Sequence, residues 1–274
     1  MGEADAVDRV DEPGTVSSLA TDLRALGVEA GDVLLVHSSM SALGWVAGGP
    51  PAVVDALQEV VTADGTLVMP THTPQYTDPA NWSNPPVPDD WEDTIREARP
   101  PFRPAVTPTR GMGAIPECFR DYPDVVRGEH PFYSFAAWGA DAADVVTDHE
   151  FDDSLGEGSP LARLYDRDAD VLLLGVGHEV YTSLHLAEYR ADFPRERVEC
   201  EAPVVRDGRR VSVEFEDIDI DSADFPDVGA AFEHEVGATS GSVGAAATKL
   251  LDQQALVDFA VDWFGENRPR DEEQ

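Results

Sequence analysis

His185 and Glu188, in the segment TSLHLAEYRA, stand three residues apart, a spacing that places both side chains on one face of a helix. A carboxylate beside an imidazole fixes its tautomer and raises its basicity, which suits a general base. His-x-x-Glu is also a common pairing, and on spacing alone an ordinary surface His–Glu pair is the better reading. A second group, His37, Ser38 and Ser39, ends the apolar run VLLVHSS. Hydroxyls and free backbone N–H groups there suit a phosphate or an amide-rich chain, helped by Gly44, Gly48, Gly49 and the helix start that follows. On local pattern, capping and turn formation by the serines explain the same residues better. Thr71 and His72 end a second apolar run, GTLVMPTHT, in the same manner.

Other chemistries find less support. The phosphate-loop pattern GxxxxGK[ST] is absent, and GVGHEV and GMGAIP begin like dinucleotide fingerprints but lack the third glycine. There is no GxSxG, no HExxH and no paired CxxC. His72, His130 or His149 could join acidic residues around a metal, but in so acidic a chain a chance His–carboxylate neighbour is expected, so a metal-free site is favoured over a metal-dependent hydrolase.

The elements that must position these groups read as mixed α/β. TVSSLATDLRALG (15–27) is a helix ending near Gly27, and 33–39 is a buried strand. The helix at 51–62 has prolines in its first turn, and 65–73 is a second strand. Open α/β sheets carry their chemistry where strands stop in polar residues. Residues 74–108 form a long excursion that either covers a site or is a surface insertion. A helix near 111–121, a strand at 130–139, a Ser-Pro helix start in 156–165, a strand at 171–177 and a helix at 182–191 follow. VVRDGRRVSVEF (204–215) is a β-hairpin around Asp-Gly, and helices near 241–252 and 254–264 close the chain. The expected fold is one α/β domain over 15–265, a layered mixed sheet flanked by helices with a β-hairpin excursion. The acidic segments 1–14 and 266–274 are expected to be poorly ordered.

Composition sets the surroundings. Lys+Arg number 19 against 54 Asp+Glu, a net charge of -35, and Lys249 is the only lysine. The charge is spread along the whole chain. Such self-repulsion is tolerable in concentrated salt, where the Debye length is about 3 Å at 1 M, so a halophilic cytoplasm is expected. Nucleic-acid and anionic-membrane partners are disfavoured, because phosphate binding needs basic patches. Cys118 and Cys200 build no disulfide framework, and the N-terminus has no signal-peptide pattern. No apolar run approaches the roughly 20 residues that span a bilayer. A cytoplasmic protein is expected, and a homo-oligomer stays open.

Five segments together resemble the aminoglycoside 3-N-acetyltransferase family in order and spacing: HSSMSALGWVAGGP (37–50), TLVMPTHT (66–73), 107–139 from TPTRGMG to FAAWG, GEGSPLARLY (156–165) and LLLGVGHEVYTSLHLAEY (172–189). The likeness runs from about residue 15 to 264. It implies a fold distinct from GCN5-type acetyltransferases, acetyl-CoA as donor, a small amine as acceptor, no metal, and direct transfer without an acyl-enzyme. Under the resemblance His185 is the general base and Glu188 orients it. His37, Ser38 and Ser39, with the bend at Gly44 and Trp45, contact coenzyme A, and Arg110 is a further donor-side candidate. Thr71 and His72 line the cleft, and Asp152 and Asp153 meet cationic amino groups of the acceptor. An antibiotic-resistance role follows from the same likeness. Gly128 and Tyr181 depart from the family's usual serine and asparagine, beside the expected site, and bear on acceptor identity rather than reaction type. A metal-dependent hydrolase and a catalytically silent coenzyme A-binding protein are the alternatives.

Overall fold

The structure is a computed structural model and describes residues 3–83 and 85–268. Helix α1 (Glu3–Val7) lies in the segment expected to be poorly ordered and leads to α2 (Val16–Leu26), β1 (Val33–Ser38), α3 (Pro50–Val61) and β2 (Thr66–Pro70). The described residues of the excursion at 74–108 hold three short 3-10 turns and α4 (Glu92–Ala98). Next come α5 (Ala114–Phe119), β3 (Val126–Arg127), β4 (Phe135–Gly139), α6 (Ala142–Val146), α7 (Pro160–Tyr165), β5 (Asp170–Leu174) and α8 (Ser183–Arg190). The chain ends with β6 (Arg197–Arg206), β7 (Arg209–Ile218), α9 (Phe225–Glu235), β8 (Thr239–Val243), β9 (Ala246–Asp252) and α10 (Gln253–Asn267).

Local signals explain the better-anticipated elements. Thr15 and Ser18 form a reciprocal capping box at the start of α2, and Gly27 closes that helix with φ 111. Pro50 opens α3, and Ser159 caps α7 ahead of Pro160. The seven-stranded sheet has the order β3-β4-β2-β1-β5-β9-β8. Its centre, β2-β1-β5, is parallel, and the flanking pairs are antiparallel. Alternate residues of the central strands feed two cores. Leu35, Val68, Val171 and Leu173 pack with α7, α8 and α10, while Leu34, Val36, Leu67 and Met69 pack with α2 and α3. Burial on both faces is why these strands read as unbroken apolar runs.

The β6–β7 hairpin turns on Asp207 and Gly208, with φ of 50 and 72, as a two-residue turn of the expected kind, and its strands reach from 197 to 218. Phe215 and Ala202 dock it against Tyr76, Phe102 and Phe132. Two expectations are corrected. Residues 241–252 are not a helix but strand β9 with the end of β8; their helix-forming alanines and leucines yield to pairing with the open edge of β5. The strand expected from 130 begins only at Phe135, because His130 Nδ1 accepts the N–H groups of Phe132 and Tyr133 and turns the chain there. Helix α9, not anticipated, covers the face beside α8 and α10. No described helix is long and apolar enough to cross a membrane.

One carboxylate of the scaffold gives a pH prediction. Asp170 faces Asp252 in the β5–β9 register, and burial, then Asp32 and Asp252, push its carboxyl up to about 6. A raised folded value means that its stabilising contribution is present below the ordinary carboxylate range and is lost as pH rises through about 6. Asp170→Asn is expected to raise the melting temperature at about pH 8 by roughly 2–4 °C and by about half as much at about pH 5, because the penalty accrues between the ordinary carboxylate value and about 6. Equal shifts at both values in thermal melts would rule this account out.

Candidate active site

Strands β1, β2 and β5 deliver their polar ends to one edge of the sheet. After β5 the chain passes Gly175, whose φ is 71 and where a Cβ would lie 2.4 Å from Ala42 Cβ, so the β1 and β5 exits meet closely. The N–H of Ser39 donates to the Leu174 carbonyl at 2.9 Å and ties the two exits together. A 3-10 turn at 178–180 then leads into α8, with His185 in its first turn.

Glu188 is 1% exposed, so its charge must be met internally. Oε2 pairs with His185 Nδ1 in a very short contact. Oε1 accepts Arg268 Nη1 at 2.5 Å and the Asp221 N–H at 3.1 Å. Arg268 is held in turn by Asp224 and lies 3.9 Å over the Phe264 ring. The Glu188 carboxylate therefore fixes Nδ1–H of His185 and leaves Nε2 as the basic nitrogen. Phe225, with its ring 4.7 Å from that of His185, backs the imidazole. The helix-spaced pair thus joins a partly buried imidazole to a buried, fully partnered carboxylate and is not a surface contact.

Two more imidazoles stand near it. Burial, then the neighbouring His185, brings His37 down to about 3. Burial and then His185 hold His72 well below the ordinary histidine value. Both are neutral, and each has a buried Nε2 without a hydrogen-bond partner. The His72 ring sits edge-on to Tyr133 and Phe135 at 5.3 and 5.2 Å. Ser38 Oγ, Ser183 Oγ and the Tyr181 hydroxyl are likewise buried without partners. A cavity of about 430 Å³ opens beside them, lined by His37, Ser38, Ser39, Gly113, Val176 and Thr182 among others; His185, Glu188 and His72 lie outside its wall.

The remaining expected residues divide. Arg110 lies between this cavity and the excursion, its N–H on the His72 carbonyl at 3.1 Å and its guanidinium 5.5 Å from the Trp82 ring. Thr71 is fully buried, its hydroxyl engaged by Ser134 and Arg127, so it braces the strand end and offers no free group. Gly44 and Trp45 do not line the cavity: Gly44 packs under Val10, and the Trp45 carbonyl accepts the Gly14 N–H. Asp152 and Asp153 line a separate cavity of about 440 Å³ with Tyr189, Arg195 and Arg197. Asp153 also accepts the Gly158 N–H at 2.6 Å. Gly128 faces another cavity, of about 760 Å³, against Val146, whereas Tyr181 lies 6.1 Å from His37, ring to ring. No described residue of 74–108 lines the 430 Å³ cavity.

Sequence reasoning missed Arg268, Asp221 and Arg195, whose guanidinium donates to the Glu188 carbonyl. Arg268 lies in the tail expected to be poorly ordered; its pairing with Glu188 and Asp224 orders it. The only signal was an arginine pair, Arg268 and Arg270, in an otherwise acidic stretch. Among the described residues no three His, Cys, Asp or Glu side chains are gathered for a metal ion.

The chain matches the family model for aminoglycoside 3-N-acetyltransferase over residues 35–265. It is 45% identical over 262 residues to YokD of Bacillus subtilis, a prophage-derived aminoglycoside N(3')-acetyltransferase-like protein, covering 95% of this chain and 96% of that one. It is 40% identical over 289 residues to aminoglycoside N(3)-acetyltransferase VII of Streptomyces paromomycinus, covering 99% and 98%. The YokD crystal structure superposes with a TM-score of 0.93 at 44% identity over 96% of this chain and 98% of that chain. AAC-IIIb, solved as a binary complex with CoASH, gives 0.84 at 31% identity over 96% and 100%. AAC-VIa, solved bound to sisomicin, gives 0.83 at 31% identity over 92% and 98%.

Proposed function

The chain belongs to the aminoglycoside 3-N-acetyltransferase family, and we propose that it moves acetyl from acetyl-CoA directly to the 3-amino group of an aminoglycoside, or to a related small amine, with His185 as general base. It is an acyltransferase with acetyl-CoA as co-substrate. The His185–Glu188 dyad carries this reading, because a fully satisfied carboxylate behind one ring nitrogen serves to orient the other.

The residues present fit the donor. Ser38 Oγ is buried and unpartnered beside the 430 Å³ cavity, which has room for the narrow pantetheine end of the molecule. Arg110, which forms no ion pair among the described residues, is a partner for phosphate in a chain of net charge -35. Acetyl-CoA supplies an activated carbonyl; the chain supplies position and proton transfer. His185 Nε2 removes a proton from the acceptor nitrogen as that nitrogen's lone pair forms the new C–N bond, and the proton goes on to the departing sulfur. Asp152 and Asp153 are the proposed contacts for the acceptor's cationic groups, one helical turn beyond His185 through Tyr189. In the concentrated salt that the composition favours, long-range attraction of a polycation is screened, so these carboxylates act at hydrogen-bond range.

A thiol-release assay in molar salt over a panel of amines tests the proposal. Aminoglycosides bearing a 3-amino group are expected to release CoASH from acetyl-CoA, and analogues lacking that group to release none. Thiol release independent of the 3-amino group would overturn the assignment of the acceptor.

A further inference from the structure

We infer that His37 is a second catalytic residue, a neutral imidazole that donates an N–H to the carbonyl oxygen of the thioester as negative charge builds there. The inference deepens the acetyl-transfer reading and rests on it. Of the three clustered imidazoles, His185 is committed through Nδ1 to Glu188, and His72 is packed edge-on against two aromatic rings and does not line the 430 Å³ cavity. His37 alone belongs both to the cluster and to the cavity wall. Strand alternation places it on the same sheet face as Leu35 and α8, whereas Ser38 faces the other side. Thr182 joins the two places: it lines the cavity, and its carbonyl accepts the His185 N–H at 3.0 Å.

His37 is 4% exposed, and its Nε2 has no partner among the described residues, an arrangement that costs stability unless a ligand supplies one. Burial keeps the ring uncharged, and the positive charge that His185 acquires pushes His37 further from protonation. An uncharged imidazole keeps its N–H to give and does not compete with His185 for the proton. In the step itself the amine lone pair makes the C–N bond, the carbonyl π electrons move onto oxygen, and His37 stabilises that oxyanion. The electrons then return, the C–S bond breaks, and the sulfur takes the proton held by His185. A pre-set donor at a developing oxyanion is worth up to about 10²- to 10³-fold.

The test compares His37→Leu and His37→Asn with the wild-type chain in molar salt, using acetyl-CoA and an aminoglycoside that the wild type acetylates. Leu is expected to lower kcat by about 10²-fold, and Asn, which keeps an N–H, to recover at least about tenfold of that loss. Calorimetric titration with CoASH, which lacks the thioester carbonyl, is expected to show for both variants a loss of affinity far smaller than the loss in kcat. A kcat for His37→Leu within about threefold of wild type overturns the inference, as does an Asn variant no better than Leu, or a loss of CoASH affinity in proportion to kcat. If the wild type itself releases no thiol with any amine, the acetyl-transfer reading fails and this inference with it. That result is distinct from an active wild type with an active His37→Leu.

Discussion

Replacing His185 by alanine is expected to cut turnover by about 10²- to 10⁴-fold while CoASH binds as before. Among the described residues the His185 side chain hydrogen-bonds only to Glu188 and packs on Phe225, so its removal is expected to take away the proposed proton acceptor more than the scaffold. Steady-state kinetics paired with CoASH titration distinguish these effects. A His185→Ala variant that turns over at the wild-type rate would end the general-base assignment. Loss of CoASH binding in step with activity would point instead to a binding role.

Substituting Glu188 is expected to produce the second large effect, on activity and stability together. The carboxylate meets His185, Arg268 and the Asp221 N–H from a position 1% exposed. Glu188→Gln keeps the volume but offers one carbonyl oxygen where two charged oxygens stood, so the tautomer of His185 is no longer enforced. Turnover is expected to fall by roughly 10³- to 10⁴-fold, the scale known for loss of a carboxylate that orients a catalytic imidazole. Glu188→Ala leaves Arg268 with Asp224 alone and is expected to cost about 3–5 kcal/mol, the scale for breaking one side of a buried ion pair. Thermal melts check the second figure and initial rates the first. A wild-type melting curve for Glu188→Ala would mean that the dyad does not hold the α8–α10 junction together.

The same junction shows why the site was only half legible in the sequence. His185 and Glu188 lie one helical turn apart, so their meeting follows from helix geometry and is readable from spacing. Arg268 reaches Glu188 across 80 residues and Asp221 across 33, and neither separation leaves a trace in local pattern. The depth of the pair was equally unreadable, because burial of a short, weakly amphipathic helix depends on what packs over it; here that is α10 and Phe225. For the same reason Thr71 and His72, neighbours at one strand end, diverge in role. The first is consumed by Ser134 and Arg127, and the second stands beside His37 and His185.

Local order along the chain was enough to set the central parallel strands, the capped helices α2 and α7 and the Asp-Gly hairpin, since short-range sterics, capping and turn chemistry act within a few residues. The acidic composition and the helix-spaced dyad were likewise complete in the sequence. Tertiary structure alone decided that Ala246–Asp252 becomes a strand on the edge of β5, that Arg268 braces the His185–Glu188 pair, and that His37 forms part of the cavity wall. Each of those outcomes turns on a partner far along the chain, whose pairing or desolvation outweighs the small local preference of the residue itself.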